Sequence, residues 1–301
     1  MNNLKMPPND AALDVTLWER GRAVLNPPAD EHMPMVVVST GACSSLNGAL
    51  NAERIEGDIR YLHALPKTAG SLLEVSQSDG AIAISLATMR EMGLMFIVVD
   101  PQVESDLAVA SSVSHAAREA GLFVVALVAQ TAEPSSDGRM HECDLLRAFD
   151  SVIALRAAWP EAQPFACNII RHISGGLKVA PPVCTDLADV QGILGGAIVT
   201  VGVGEAEGPP STGERGRAWD AAALAILDVG RVDVAAATGV IVAIAGSHSV
   251  RLSEISRVTH QVGDLVESAD ALVIPTVHVE ASAPDGFRVL LLVARCFDVR
   301  L

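Results

Sequence analysis

The sequence predicts an α/β protein: an N-terminal Rossmann-like domain of the nucleotide-binding type, joined by a central helix to a C-terminal α+β domain. Three observations predict it. Half of the 301 residues are hydrophobic but only 3% are aromatic, so the interior is built from small and β-branched side chains that suit buried strands and close-packed helices. In the first half, β-branched runs end in small-residue loops that lead into helices. In the second half, four strand candidates accompany only two helices, which suggests a sheet with one face covered. The expected boundaries are a mobile N-terminal arm over 1–31, a nucleotide-binding-type α/β domain over 32–160, a central connecting helix over 161–182 and the C-terminal domain over 183–301.

Taken in order, residues 1–31 hold Pro7, Pro8, Pro27 and Pro28 among polar neighbours, and only Leu13 to Leu25 has a helical stretch. Met35 to Ser39 reads as a strand, Gly41 to Ser45 as a small-residue loop and Leu46 to Asn51 as a helix. Phe96 to Val99, Leu107 to Ala120 and Leu122 to Ala129 form a strand, helix and strand, with Gly121 ending the helix. Ser151 to Leu155 adds a strand and Phe165 to Leu177 a helix, before Pro181-Pro182 interrupts the pattern. Beyond it, strands are expected at Ala197 to Val201, Val240 to Ala245, Ala271 to Thr276 and Phe287 to Ala294. The helices are expected at Arg217 to Leu227 and Leu252 to Ser268, the latter placing Leu252, Ile255, Val262 and Val266 on one face.

The 36 Asp and Glu against 21 Lys and Arg give a formal charge of -15, a field that repels nucleic acid and anionic lipid. A triphosphate would need a local site of backbone amides or a cation. The five cysteines are scattered, with no C-x-x-C pair, which argues against disulfides and a zinc site and for a reducing, cytoplasmic setting. No apolar run approaches the roughly 20 residues of a membrane span, and no direct membrane anchor is seen.

A group of short motifs in the second half keeps one order. Asp186-Leu187-Ala188-Asp189-Val190 is followed by Gly202-Val203-Gly204, Gly213-Glu214-Arg215 and Arg217-Ala218, then Ala237-Thr238-Gly239-Val240-Ile241-Val242, Leu252-Ser253-Glu254, and Phe287-Arg288-Val289 to Cys296-Phe297-Asp298. This series resembles the C-terminal domain of FtsZ, with its D-F-A-D-V loop, G-x-G…G-E-x-R-A stretch, A-R-G-V-L-V-N-I-T-G strand, L-S-E helix opening and final R-V-T-V-I-A-T-G-F-D strand. Several motifs at the expected separations are more specific than any one alone. The resemblance implies the FtsZ/tubulin fold.

The first half is similar to that family through the strand, helix and strand from Phe96 to Val128. Where the family has G-G-G-T-G-T-G, this chain has Gln102-Val103-Glu104-Ser105-Asp106-Leu107-Ala108. Side chains there obstruct the approach of phosphates, and Glu104 and Asp106 would occupy the electropositive spot at a helix N-terminus. The first glycine-rich loop is reduced to Gly41 through Gly48, and Ala166-Cys167-Asn168-Ile169-Ile170 puts a thiol where the family's A-D-N-V-L has a base-reading carboxylate. Residues Gly138 to Asp150 form a segment about two helical turns shorter than the family's. The resemblance leaves Gly41, Asn47, Gly48, Ser105 and Asn168 as the remnant of a nucleotide pocket. It also makes Asp186 and Asp189 the acidic pair that, in the family, completes the pocket of a neighbouring subunit.

Simpler uses stand beside these. Asp186 and Asp189 open a helix well as cap and first-turn acid. Gly202-Val203-Gly204 with Gly208 has the wrong spacing for a dinucleotide fingerprint and reads as a loop between sheet and helix. Cys43 is better placed as a buried small residue than as a nucleophile, Cys167 as core, and His141 with Cys143 as surface residues, so no metal site is expected.

The resemblance implies an FtsZ-like pseudo-GTPase acting through protein contacts. It would cap or modulate an FtsZ-type filament, or assemble with itself, in a cell-division-related role. No cofactor is expected, and GTP only if the pocket is compensated. The alternatives are a weak or altered GTPase with a composite site between subunits, and an unrelated enzyme using Cys43.

Overall fold

The computed structural model describes residues 35–52, 59–64, 75–77, 80–82, 93–129, 145–177, 183, 185–210, 215–279 and 286–296. The N-terminal arm and most of the segment 138–150 lie outside them. The strands are β1 (Met35–Thr40), β2 (Ile59–Ala64), β3 (Val75–Gln77), β4 (Gly80–Ile82), β5 (Leu94–Val99), β6 (Phe123–Ala129), β7 (Ser151–Leu155), β8 (Ala197–Glu207), β9 (Gly239–Gly246), β10 (Leu272–Val279) and β11 (Gly286–Cys296). The helices are α1 (Ser45–Ala52), α2 (Glu104–Glu119), α3 (Gln163–Gly176), α4 (Leu187–Leu194), α5 (Arg217–Val229), α6 (Arg231–Ala235) and α7 (Leu252–Gly263).

The strands form one eleven-stranded sheet in the order β10-β9-β11-β8-β7-β6-β5-β1-β2-β3-β4. β7, β6, β5, β1 and β2 are parallel, and β1, β5 and β6 are buried along their whole length, as their uninterrupted apolar runs require. The two halves join where Ser151 to Ile153 of β7 pair in parallel with Ala197 to Val199 of β8. In the second half β11 runs antiparallel to both β8 and β9. β2, β3 and β4 have no counterpart among the expected strands.

Both faces of the second half's sheet are covered, against the expectation of one. Val240, Val242, Ile244, Val289, Leu291 and Val293 pack under α5 and α7. Ile241, Ala243, Leu290, Leu292 and Ala294 pack on the other side with Ile169, Ile173, Ile193 and Leu194 of α3 and α4. α3 and α4 therefore supply the second layer. Gly239–Gly246 is buried at every position, the signature of a strand covered on two faces rather than alternating.

Gly202 and Gly204 are strand residues, not a loop. A Cβ on Gly204 would collide with the backbone of α5 at Ala221 and Ala225, and one on Gly202 with Ala225 and Val229. These glycines let α5, whose inner face is Ala218, Ala221, Ala222 and Ala225, press directly on β8. The helix at Leu252 ends at Gly263 instead of Ser268, and Leu252 is half exposed rather than core. It is the first residue of α7, so it has no preceding turn to pack beside.

A buried ion pair fixes the start of α5 to that of α7. Arg217 Nε and Nη2 donate to Glu254 Oε1 and Oε2 at 3.0 and 3.2 Å, and Nη2 also reaches Ser249 Oγ at 3.1 Å. Glu254 accepts from the Arg251 amide at 3.0 Å, and the guanidinium lies 5.5 Å from the Phe287 ring centre.

Candidate functional site

β1 leads through α1 to β2 on one side, whereas β5 leads through α2 to β6 on the other. Such a reversal between neighbouring parallel strands opens a crevice beyond their carboxyl ends, where α/β proteins bind ligands. Leu46 and Leu50 of α1 pack on one face of the sheet, and Ala110, Val113 and Ala117 of α2 on the other. Thr40 Oγ1 donates to the Val98 carbonyl at 3.2 Å and ties the two strands at the crevice mouth.

The expected pocket residues distribute around this opening. Gly41 begins a 3-10 turn directly after β1, Asn47 and Gly48 lie in α1, and Ser105 is exposed in the first turn of α2. Asn168 is half-buried on α3, five residues beyond Gln163, whose Oε1 accepts from Ser45 Oγ at 2.6 Å. Its own Oδ1 accepts from Arg171 at 3.0 Å.

The crevice holds a carboxylate of its own. A Cβ on Gly41 would overlap the Asp106 carboxyl group, so that group lies flat against the Gly41 backbone, and Asp106 is only 4% exposed. The loop amides are engaged as well. Asp100 Oδ1 accepts from the Gln102 amide at 3.0 Å, and the Asp100 carbonyl from the Val103 amide at 3.2 Å. Asp100 is a site residue that the motif comparison passed over; its signal was an Asp-Pro step at a strand end, a common turn opener. With exposed Glu104, three carboxylates surround the α2 N-terminus, where the helix dipole welcomes them and they oppose any further anion.

Cys43 is fully buried beside this cluster. Burial above all, then the charges of Asp100 and Asp106, push its thiol up to about 12, so it stays protonated and is no nucleophile at neutral pH. Cys167 is likewise core. Among the described residues no group of His, Cys, Asp and Glu could hold a metal ion.

Asp186 and Asp189 stand elsewhere. Asp186 is the N-cap of α4: its Oδ1 accepts from the Asp189 amide at 2.9 Å, while Asp189 Oδ2 accepts from the Asp186 amide at 3.0 Å. This reciprocal capping box satisfies two amides that a helix start leaves open. Asp186 is nevertheless exposed. Neighbouring Thr185 donates to the Pro275 carbonyl in β10, the edge strand six places from β5. At about 4.8 Å per strand, the acidic pair is on the order of 30 Å from the crevice. Within one molecule the two cannot meet.

Parallel strands with a crevice between β1 and β5, a helix running from that crevice across the same sheet, and a four-stranded extension of the sheet covered on both faces define the FtsZ/tubulin fold. Residues 195–296 match the family described as FtsZ family, C-terminal domain. The structure is similar to FtsZ from M. jannaschii solved as an empty dimer, with a TM-score of 0.71 at 17% identity over 92% of each chain. It is similar also to GDP-bound monomeric CetZ1 from Haloferax volcanii, with a TM-score of 0.60 at 14% identity over 89% of this chain and 96% of that one. For the GTPγS-bound CetZ2 protofilament from the same organism the TM-score is 0.53 at 14% identity, over 88% and 95%.

Proposed function

We propose that this chain is an FtsZ-like pseudo-GTPase that works through protein contacts, capping or modulating an FtsZ-type filament in a cell-division-related role in the cytoplasm. The observation that carries the reading is the Asp106 carboxylate lying against Gly41 in the crevice. It takes the place of a phosphate, and Asp100 uses an amide that a phosphate would need. The relatives of this fold include a GTPγS-bound protofilament, in which subunits stack. A chain with exposed Asp186 at one end and a carboxylate in its crevice at the other would join a stack by the first and end it with the second. Assembly with itself without nucleotide is the other form of this reading, and the dimer and protofilament among similar structures support it.

Isothermal titration of the folded protein with GTP, GDP and ATP in magnesium is expected to give no heat; micromolar GTP binding would refute the reading. Asp186→Asn separates charge from capping, because Asn caps helices as well as Asp does. That variant should keep its melting temperature and lose its effect on a partner filament, and an unchanged effect would remove the acidic pair from the mechanism.

A second reading, a weak GTPase completed between subunits, draws on the exposure of Asp186 and on the GDP and GTPγS bound by the two CetZ proteins. Turnover per subunit that rises with protein concentration would favour it.

A further inference from the structure

Along α3 from Gln163 at the crevice, at a distance of about 14 Å, His172 is buried to 1% exposure with neither ring nitrogen hydrogen-bonded among the described residues. A neutral imidazole carries one donor and one acceptor, and a buried polar group without partners is the exception in folded proteins. The charges around this ring define the kind of partner that suits it.

The sheet register sets four side chains in one row beneath this part of α3. Arg288 of β11 stands beside Glu205 of β8 on one side and Ala245 of β9 on the other, and Ala245 stands beside His278 of β10. Residues two apart on a strand share a face, so the row looks the same way as Ala243 and Leu290, toward α3. Ala245 is the small member, and Arg288 and His278 flank it with Cα atoms about 10 Å apart. The His278 ring lies edge-on to His172 at 6.3 Å, in space that Gly175 leaves open. Burial, and after it the charges of His278, Arg288 and Arg171, lowers the His172 pKa, so three basic side chains act at one place. Arg171 donates to Asn168, and Arg288 pairs with Glu205. Arg288 is 29% exposed, and the row opens to solvent at that side. Two guanidinium groups and two imidazoles against one carboxylate make a basic cluster on a chain of formal charge -15. Guanidinium groups donate and never accept, so they repel a cation, whereas an oxyanion accepts from them and from an imidazole N–H.

We propose that this cluster is a binding site for a small oxyanion, a carboxylate or a phosphate, held by Arg171, His278 and Arg288 with His172 donating to it from α3. The site is separate from the crevice, and an anion in it would join α3 to β10 and β11.

Imidazole resonances of the full chain, followed by NMR during titration with acetate and with inorganic phosphate at pH 7 and constant ionic strength, test this. The His172 and His278 signals should shift saturably with one anion or both, and the tighter of the two gives the class of ligand. The signal of exposed His115 on α2 should not follow. Arg288→Gln and Arg171→Gln, both at partly exposed positions, should each weaken binding at least about tenfold, with the amide spectrum of β1, β5 and β6 unchanged. No saturable shift with either anion overturns the site. So does a shift that His115 shares, or binding that both arginine variants leave unchanged.

Discussion

His172 makes the stability of this fold depend on pH in a calculable way. It lies on α3 facing the second half's sheet, fully buried, with neither ring nitrogen hydrogen-bonded and with the His278 ring edge-on at 6.3 Å. Burial, and after it the neighbouring His278, Arg288 and Arg171, lower its pKa from 6.5 to about 3. The folded state therefore keeps His172 neutral over a range in which the unfolded chain binds a proton. This contribution to stability is complete above pH 6.5 and is lost progressively as the pH falls toward 3. The limiting slope is about 1.4 kcal/mol per pH unit, so between pH 6.5, where the unfolded histidine is half protonated, and 4.5 the loss is about 2 kcal/mol, a large part of the roughly 5–15 kcal/mol typical of a domain.

His172→Phe removes the titration and keeps a ring. At pH 7 it should be at least as stable as the wild type, because it also removes a buried N–H without an acceptor. Urea unfolding of both proteins at half-unit pH intervals isolates the histidine from the many carboxylates, which the two share. The difference in unfolding free energy should change by about 1.4 kcal/mol per unit below pH 6.5. Parallel curves would show that His172 does not titrate as its burial dictates.

Gly41→Ala should destabilise the fold by about 1–3 kcal/mol through overlap with the Asp106 carboxylate, and Asp106→Ala in the same chain should recover most of it. Additive effects in chemical denaturation would mean that the two do not touch. Arg217→Met strands the buried Glu254 charge and should cost about 3–5 kcal/mol, whereas the double variant with Glu254→Leu should regain a good part of the loss in the same measurement. Thermal unfolding in 1 mM GTP should match unfolding without it. A ligand at a hundred times its dissociation constant adds about 2.7 kcal/mol, which would raise Tm by several degrees.

The sequence made the elements of the nucleotide-type half and of the FtsZ-like half legible wherever a run was long and apolar. Met35–Thr40, Leu94–Val99 and Phe123–Ala129 are such runs, and they are buried strands for that reason. β2 was not legible, because Ile59–Ala64 mixes Arg60, Tyr61 and His63 with its apolar residues and owes its pairing to β1, more than twenty residues away. Gly202 and Gly204 misled for a related reason: in a sequence they signal a loop, and only the position of α5 gives them a use within a strand. That the segment Gln102 to Ala108 carries side chains and two acids at a helix start could be read directly. The seat of the Asp106 carboxylate on Gly41 could not, since it depends on the crossover that sets β1 beside β5.

Both acidic groups of the candidate site have work to do in the absence of any ligand. Asp106 and Glu104 sit in the first turn of α2, where the helix dipole stabilises a carboxylate by about 0.3–1 kcal/mol, and Asp106 also fills space that Gly41 leaves open. Asp186 and Asp189 cap α4, a contribution of about 1 kcal/mol. A loop built to hold phosphate keeps its amides unsatisfied until the ligand arrives, and folding without it is correspondingly costly. Here Asp100 satisfies the Gln102 amide from within. The carboxylates at the α2 N-terminus thus satisfy and balance that helix start from within the chain, and Asp186 stays exposed while it caps α4.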